Sequence, residues 1–186
     1  MLVAVAGPLR SPTIVDRRRI ELVDAQIPAS KQPYHAAQGL DLKEAAKLIK
    51  RSSAGAKRLA RQAVRAVIAD LQAKEHDVVA GGIVLASGQP IPALAETLAS
   101  HARIHTAEGE LFRSALIHAS EQCNLPITRV RERELFAHGA TELRVPAGEL
   151  QRRIAEMGRS IGPPWRQDEK HATLVAWLAL RAASRR

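Results

Sequence analysis

The sequence predicts an α/β protein with a mixed sheet, an N-terminal antiparallel meander and flanking helices. Three observations carry this reading. Short apolar runs alternate with long helical patterns along most of the chain, as in layered α/β architectures. The first part instead holds three β-like runs joined by links too short for parallel crossovers. Finally, 46% of the 186 residues are hydrophobic but only 3% aromatic, enough for one core built from aliphatic side chains and alanine.

Residues 2–6, 13–16 and 19–23 read as the strands of the meander, separated by Gly7-Pro8-Leu9-Arg10 and by a basic turn at Arg17-Arg18. Residues 26–39, with Pro28, Pro33, Tyr34 and His35, read as a surface crossing; Tyr34-His35 suits a recognition patch or a turn held by its tyrosine. A long helix spans 42–74, and the apolar run 78–86 is a buried strand closed by Ser87-Gly88-Gln89-Pro90. One or two helices cover 92–124, 126–130 is a further strand, and 133–136 begins a short helix. A helix over 146–159 is broken by Gly162-Pro163-Pro164-Trp165, and the last helix covers 168–180. Trp165 and Trp177 suit core anchors. No repeat or linker divides the chain, so residues 1–186 read as one domain.

Composition narrows the function. Scarce aromatics disfavour base-stacking platforms. The single cysteine, Cys123, excludes an intrachain disulfide and a cysteine zinc site, which fits a reducing cytoplasm. The apolar opening through Gly7 is too short for a secretory signal and no run reaches the roughly 18 apolar residues of a membrane span. Neither a Walker loop nor a Gly-x-Gly-x-x-Gly turn is present, so no nucleotide cofactor is expected. Ser87-Gly88 lacks the elbow of a serine hydrolase.

The formal charge of +9 and the pI near 10.6 call for a polyanionic partner, most simply nucleic acid. The distribution of charge is more telling. Lys43, Lys47, Lys50, Arg51, Lys57, Arg58, Arg61 and Arg65 recur at the helical period on one side of the long helix. Ala45, Ile49, Ala56, Ala60, Ala63, Val67 and Leu71 take the other. Like charges one turn apart repel, so the stripe suits either a solvated face or a phosphate backbone. Ser52-Ser53-Ala54-Gly55 is a place where this helix can divide.

A second stripe runs through Leu94, Leu98, His101, His105, Glu108, Phe112 and Ala119. Its titratable groups interrupt an apolar seam, and burying them requires hydrogen bonds, ion pairs or a metal. His101, His105 and Glu108 are therefore candidate ligands for zinc or manganese, with His105 and Glu108 candidate proton-transfer groups. The competing expectation is a turn at the histidines, with Thr106 capping a new helix and Glu108 and Glu110 in its first turn. Gly109 favours that break.

The order meander–helix–strand–helix–strand–helix, with Asp168-Glu-Lys-His171-Ala-Thr-Leu-Val-Ala near the C-terminus, resembles the ribonuclease H-like fold, in its RuvC-type Holliday junction resolvase branch. The resemblance covers most of the chain as a layout. It implies that Asp168 and His171 are catalytic, that Asp168 is a ligand of a divalent metal (magnesium, manganese or zinc), and that both lie at the carboxyl end of the central strand near 84–87. Where such enzymes carry an Asp and a Glu, this chain has Ala6-Gly7-Pro8 and Gly81-Gly82, with Asp16 or Glu108 as replacements. A nucleic-acid-binding protein that is a divergent metal-dependent nuclease, or one that binds without cutting, is the expectation. Alternatives are a metal-dependent hydrolase using the His/His/Glu cluster on a small substrate, and a scaffold for an acidic protein. No membrane partner is expected, and a homodimer is left open.

Overall fold

The computed structural model describes residues 1–86 and 90–185; Ser87, Gly88 and Gln89, the expected end of the central strand, lie outside the described residues. The protein is mixed α/β, with two separate two-stranded sheets among helices in the described residues. The expected single mixed sheet is thus replaced by two pairs. β1 (Leu2–Ala6) and β2 (Thr13–Arg18) are antiparallel, with a register shift at Ala4/Val5, while β3 (Gly81–Leu85) and β4 (Ile127–Arg131) are parallel. Residues 19–23 are irregular and add no third strand to the meander. Ile20, Leu22 and Val23 are only half-buried in that segment, so its alternating pattern did not gain a buried face.

The helices are α1 (Pro33–Ala36), α2 (Leu42–Gln72), α3 (Leu94–Leu98), α4 (His101–Glu121), α5 (Leu135–Leu143, after a 3-10 turn at Glu132–Glu134), α6 (Ala147–Ile161) and α7 (Gln167–Ala183). The long basic helix and the final helix match their predicted extents closely. The crossing over residues 26–39 contains α1, whose proline at the first position presets the helical φ.

The chain forms two compact units, each built from segments distant in sequence. The first holds residues 1–20, 66–85 and 124–186. Within it α7 packs against β1, β3 and α5, and its buried face (Leu174, Val175, Trp177 and Leu178) joins Val130, Leu135, Leu150 and Ile154 in the core. Trp177 donates from Nε1 to the Leu9 carbonyl at 2.8 Å, so its one polar atom is satisfied. Gly82 explains why no acidic residue stands on β3 at that position: a Cβ there would lie 2.5 Å from the Val175 carbonyl oxygen. The second unit holds residues 21–65 and 86–123. There α1 and α3 pack on α4, which buries Ile104, Ala107, Leu111, Ala115 and Ala119. No helix among the described residues is long and apolar enough to cross a membrane.

Candidate functional site

Two features of the second unit stand out, and α4 carries the first. The seam does not continue from α3 into α4, because residues 99–100 separate the two helices. From His101 onward, however, the helix is unbroken to Glu121. Thr106 caps no new helix; its hydroxyl donates back to the Ala102 carbonyl at 3.0 Å. Gly109 is absorbed, with the Arg113 guanidinium lying where its Cβ would be. His101 and His105 therefore stand one turn apart, and their Nε2 atoms approach to 3.0 Å.

The third member of the cluster comes from α1. His35, His101 and His105 each offer a ring nitrogen, and these atoms all lie within 4.8 Å of one another. The rings pack edge to face, with centroids 4.4 to 5.4 Å apart. Two of the rings are exposed and His35 is half-buried, so the expectation that His101 and His105 are shielded from water is corrected. They sit in the exposed first turns of α4, beyond the buried face that begins at Ile104.

Glu108 is buried as expected, but its role differs from that of a ligand. Its Oε1 accepts from the backbone N–H groups of Tyr34 at 2.8 Å and His35 at 3.1 Å. The same oxygen lies 3.3 Å from His35 Nδ1. Gln32, the N-cap of α1, makes no side-chain cap, and Pro33 has no N–H. Glu108 thus supplies from α4 the acceptor that the first turn of α1 lacks. A proton on Nδ1 facing Glu108 would leave Nε2 as the ligating nitrogen, the tautomer that a metal ligand needs. Glu108 Oε2 is buried with no hydrogen-bond partner among the described residues. Burial, and then the charge on Glu108, hold the neighbouring Tyr34 hydroxyl above its ordinary pKa.

The donor set fits a borderline-soft divalent ion. Zinc binds imidazole nitrogen at about 2.1 Å, so three ligands of a tetrahedral ion stand roughly 3.4 Å apart. The His101 and His105 nitrogens, 3.0 Å apart, would open by a few tenths of an ångström, and the wider spacings, up to 4.8 Å, would close by about 1 Å or more to reach it. Neutral nitrogen donors also suit zinc better than magnesium.

The second feature is the basic face of α2. Ser52–Gly55 does not divide the helix, because Ser52 and Gly55 fall on its buried side with Ala56 and Ala60. Gly55 is packed so closely on Ile27 that a Cβ would lie 2.8 Å from its Cδ1. The opposite side is fully presented: Lys43, Lys47, Lys50, Arg51, Lys57, Arg58, Arg61 and Arg65 are all exposed. At about 100° per residue they occupy roughly a third of the circumference. Lys47 pairs with Glu44 at 2.7 Å and Arg58 with Asp24 at 2.6 Å. The other cations of the stripe have no ion pair among the described residues.

The remaining expected site residues lie in the first unit. His171 is buried, with Nδ1 3.6 Å from Glu132 Oε1, Nε2 against the Gln167 amide, and its ring against Phe136. Glu132 directly follows β4, and Arg131 is paired with Leu85, so His171 lies by the carboxyl ends of the parallel pair. Asp168 is exposed in the first turn of α7. It belongs to no group of three candidate ligands among the described residues. Asp16, a candidate replacement acid, is held by Arg18 at 2.6 Å. Sequence reasoning missed His35 as a partner of His101 and His105; its one signal was an isolated histidine beside a proline-led turn.

Comparison of the chain with family models, with curated proteins and with solved structures returned no match.

Proposed function

We propose that the protein binds nucleic acid through the exposed face of α2, within a ribonuclease H-like layout that is either a divergent metal-dependent nuclease or a form that binds without cutting. One observation carries the reading: an uninterrupted helix holds its cations on a single exposed face that neighbouring acids leave largely unneutralised. Such a face is electrostatically costly alone and is matched by a row of phosphates, with release of their counterions. No element of the chain resembles a base-reading module, so binding is weakly selective for sequence. The parallel β3/β4 pair backed by α7, with His171 near its carboxyl ends, supports the layout. The test is affinity for single-stranded and branched DNA and RNA across a salt series. Replacing Lys57, Arg58, Arg61 and Arg65 with glutamine flattens the slope of log affinity against log salt by about one unit per lost phosphate contact. An unchanged slope removes α2 from the interface.

A second reading rests on the histidine cluster: a metal-dependent hydrolase acting on a small substrate. His35, His101 and His105 would hold zinc or manganese, with Glu108 orienting His35. The ion would supply Lewis-acid chemistry at a water-accessible position. In this reading a chelator lowers the melting temperature and added zinc restores it, a stabilisation of about 2.7 kcal/mol at a hundredfold excess over Kd. His105→Ala abolishes the response, and a chelator without effect on the wild type refutes the reading.

A further inference from the structure

A cavity of about 700 Å³ in the first unit is lined by the β1–β2 loop, the end of α5, α6 and α7. That volume lies in the range of small-ligand sites, roughly 300–1,000 Å³. Its lining is two-sided: Leu143, Met157 and Trp177 are apolar, whereas Arg10, Arg144, Arg153 and Arg181 are cationic. Some of its charge is already committed. Arg153 donates to Glu149 at 2.7 Å and to the Arg10 carbonyl at 3.1 Å, and the one lining acid, Glu156, accepts from Arg152 at 2.7 Å. Arg10, Arg144 and Arg181 have no ion pair among the described residues. Unbalanced cations gathered in a concave, partly apolar site raise the local anion concentration.

Arg144 provides an independent observation. It closes α5 in the left-handed conformation, at φ 55°, a position where glycine is the unstrained residue. That cap sets Arg144 on the cavity wall.

We propose that this cavity binds a phosphomonoester with an apolar body. Arg10, Arg144 and Arg181 meet the phosphate, and Leu143, Met157 and Trp177 take the body. A phosphomonoester is favoured over a carboxylate because its second charge and third oxygen match several guanidinium forks. The site is separate from both readings above and stands or falls without them.

The test is calorimetric titration of the full chain with hexyl phosphate, inorganic phosphate and hexanoate. Hexyl phosphate binds one to one, roughly tenfold or more tighter than either of the others. Arg181→Gln weakens it by a similar factor, while Arg159→Gln, outside the cavity, does not. Arg144→Gly separates binding from folding: it relieves the left-handed strain, so the melting temperature holds or rises while affinity falls. Hexyl phosphate binding no tighter than inorganic phosphate, or wild-type affinity in both Arg144→Gly and Arg181→Gln, overturns the proposal. Hexanoate binding as tightly as hexyl phosphate overturns the choice of phosphate.

Discussion

Replacing Glu108 tests the link between α1 and α4 on which the histidine cluster depends. In the first turn of α1 the Ala36 N–H reaches the Gln32 carbonyl at 3.0 Å, and Pro33 has none to satisfy. Tyr34 and His35 are the remaining donors, and Glu108 Oε1 accepts from both. Alanine at 108 removes that acceptor and releases the His35 ring. Hydrogen bonds to a charged group contribute about 1.5–3 kcal/mol each, and these sites are only partly buried, so water recovers part of the loss. The expected cost of Glu108→Ala is about 3 kcal/mol, or roughly 6–12 °C in melting temperature for a chain of this size. Glu108→Gln keeps an acceptor of the same shape and costs about 1 kcal/mol. Thermal and urea unfolding measure both. If the cluster holds zinc, losing the group that orients His35 also weakens it about 10–100-fold, read by competition with a chromophoric chelator. Glu108→Gln, which keeps an acceptor for His35 Nδ1, retains most of that affinity. Wild-type stability in Glu108→Ala refutes the capping argument, and wild-type zinc affinity in that same variant refutes the orienting one.

Two further predictions concern stability. The Asp24 carboxyl is held below its ordinary pKa of 3.8, first by the Gln26 N–H and then by Arg58. Its folded value is depressed, so its contribution is complete above that ordinary value and disappears as pH falls through the lower, folded one. Asp24→Asn accordingly flattens the acid limb of melting temperature against pH below about pH 4; an unaltered limb contradicts the assignment. In the first unit, Gly158→Ala drives a methyl group into the Trp165 ring, which lies where the Cβ would be. Overpacking of this kind costs about 1–3 kcal/mol, measured by urea unfolding, and a neutral result means that Trp165 moves aside freely.

The sequence by itself determined the features that depend on neighbours along a helix. The extent of α2, the exposure of its cations and the approach of His101 to His105 all follow from a 3.6-residue period that tertiary packing did not disturb. Gly109 and the Ser52–Gly55 stretch, which suggested breaks, are tolerated because the lost helix propensity of one glycine is about 1 kcal/mol and packing on a buried face outweighs it. Contacts across the chain were a different matter. Whether residues 19–23 pair, and whether the strands form one sheet or two, depends on which faces the helices cover, and the local pattern carries no record of that. The same holds for the site: His35 and Glu108 lie 73 residues apart, and only the packing of α1 on α4 brings them together. That contact turns Glu108 from an apparent ligand into the group that caps α1 and aims His35, because a buried carboxylate is taken up by the nearest unsatisfied N–H groups, and folding alone decides which those are.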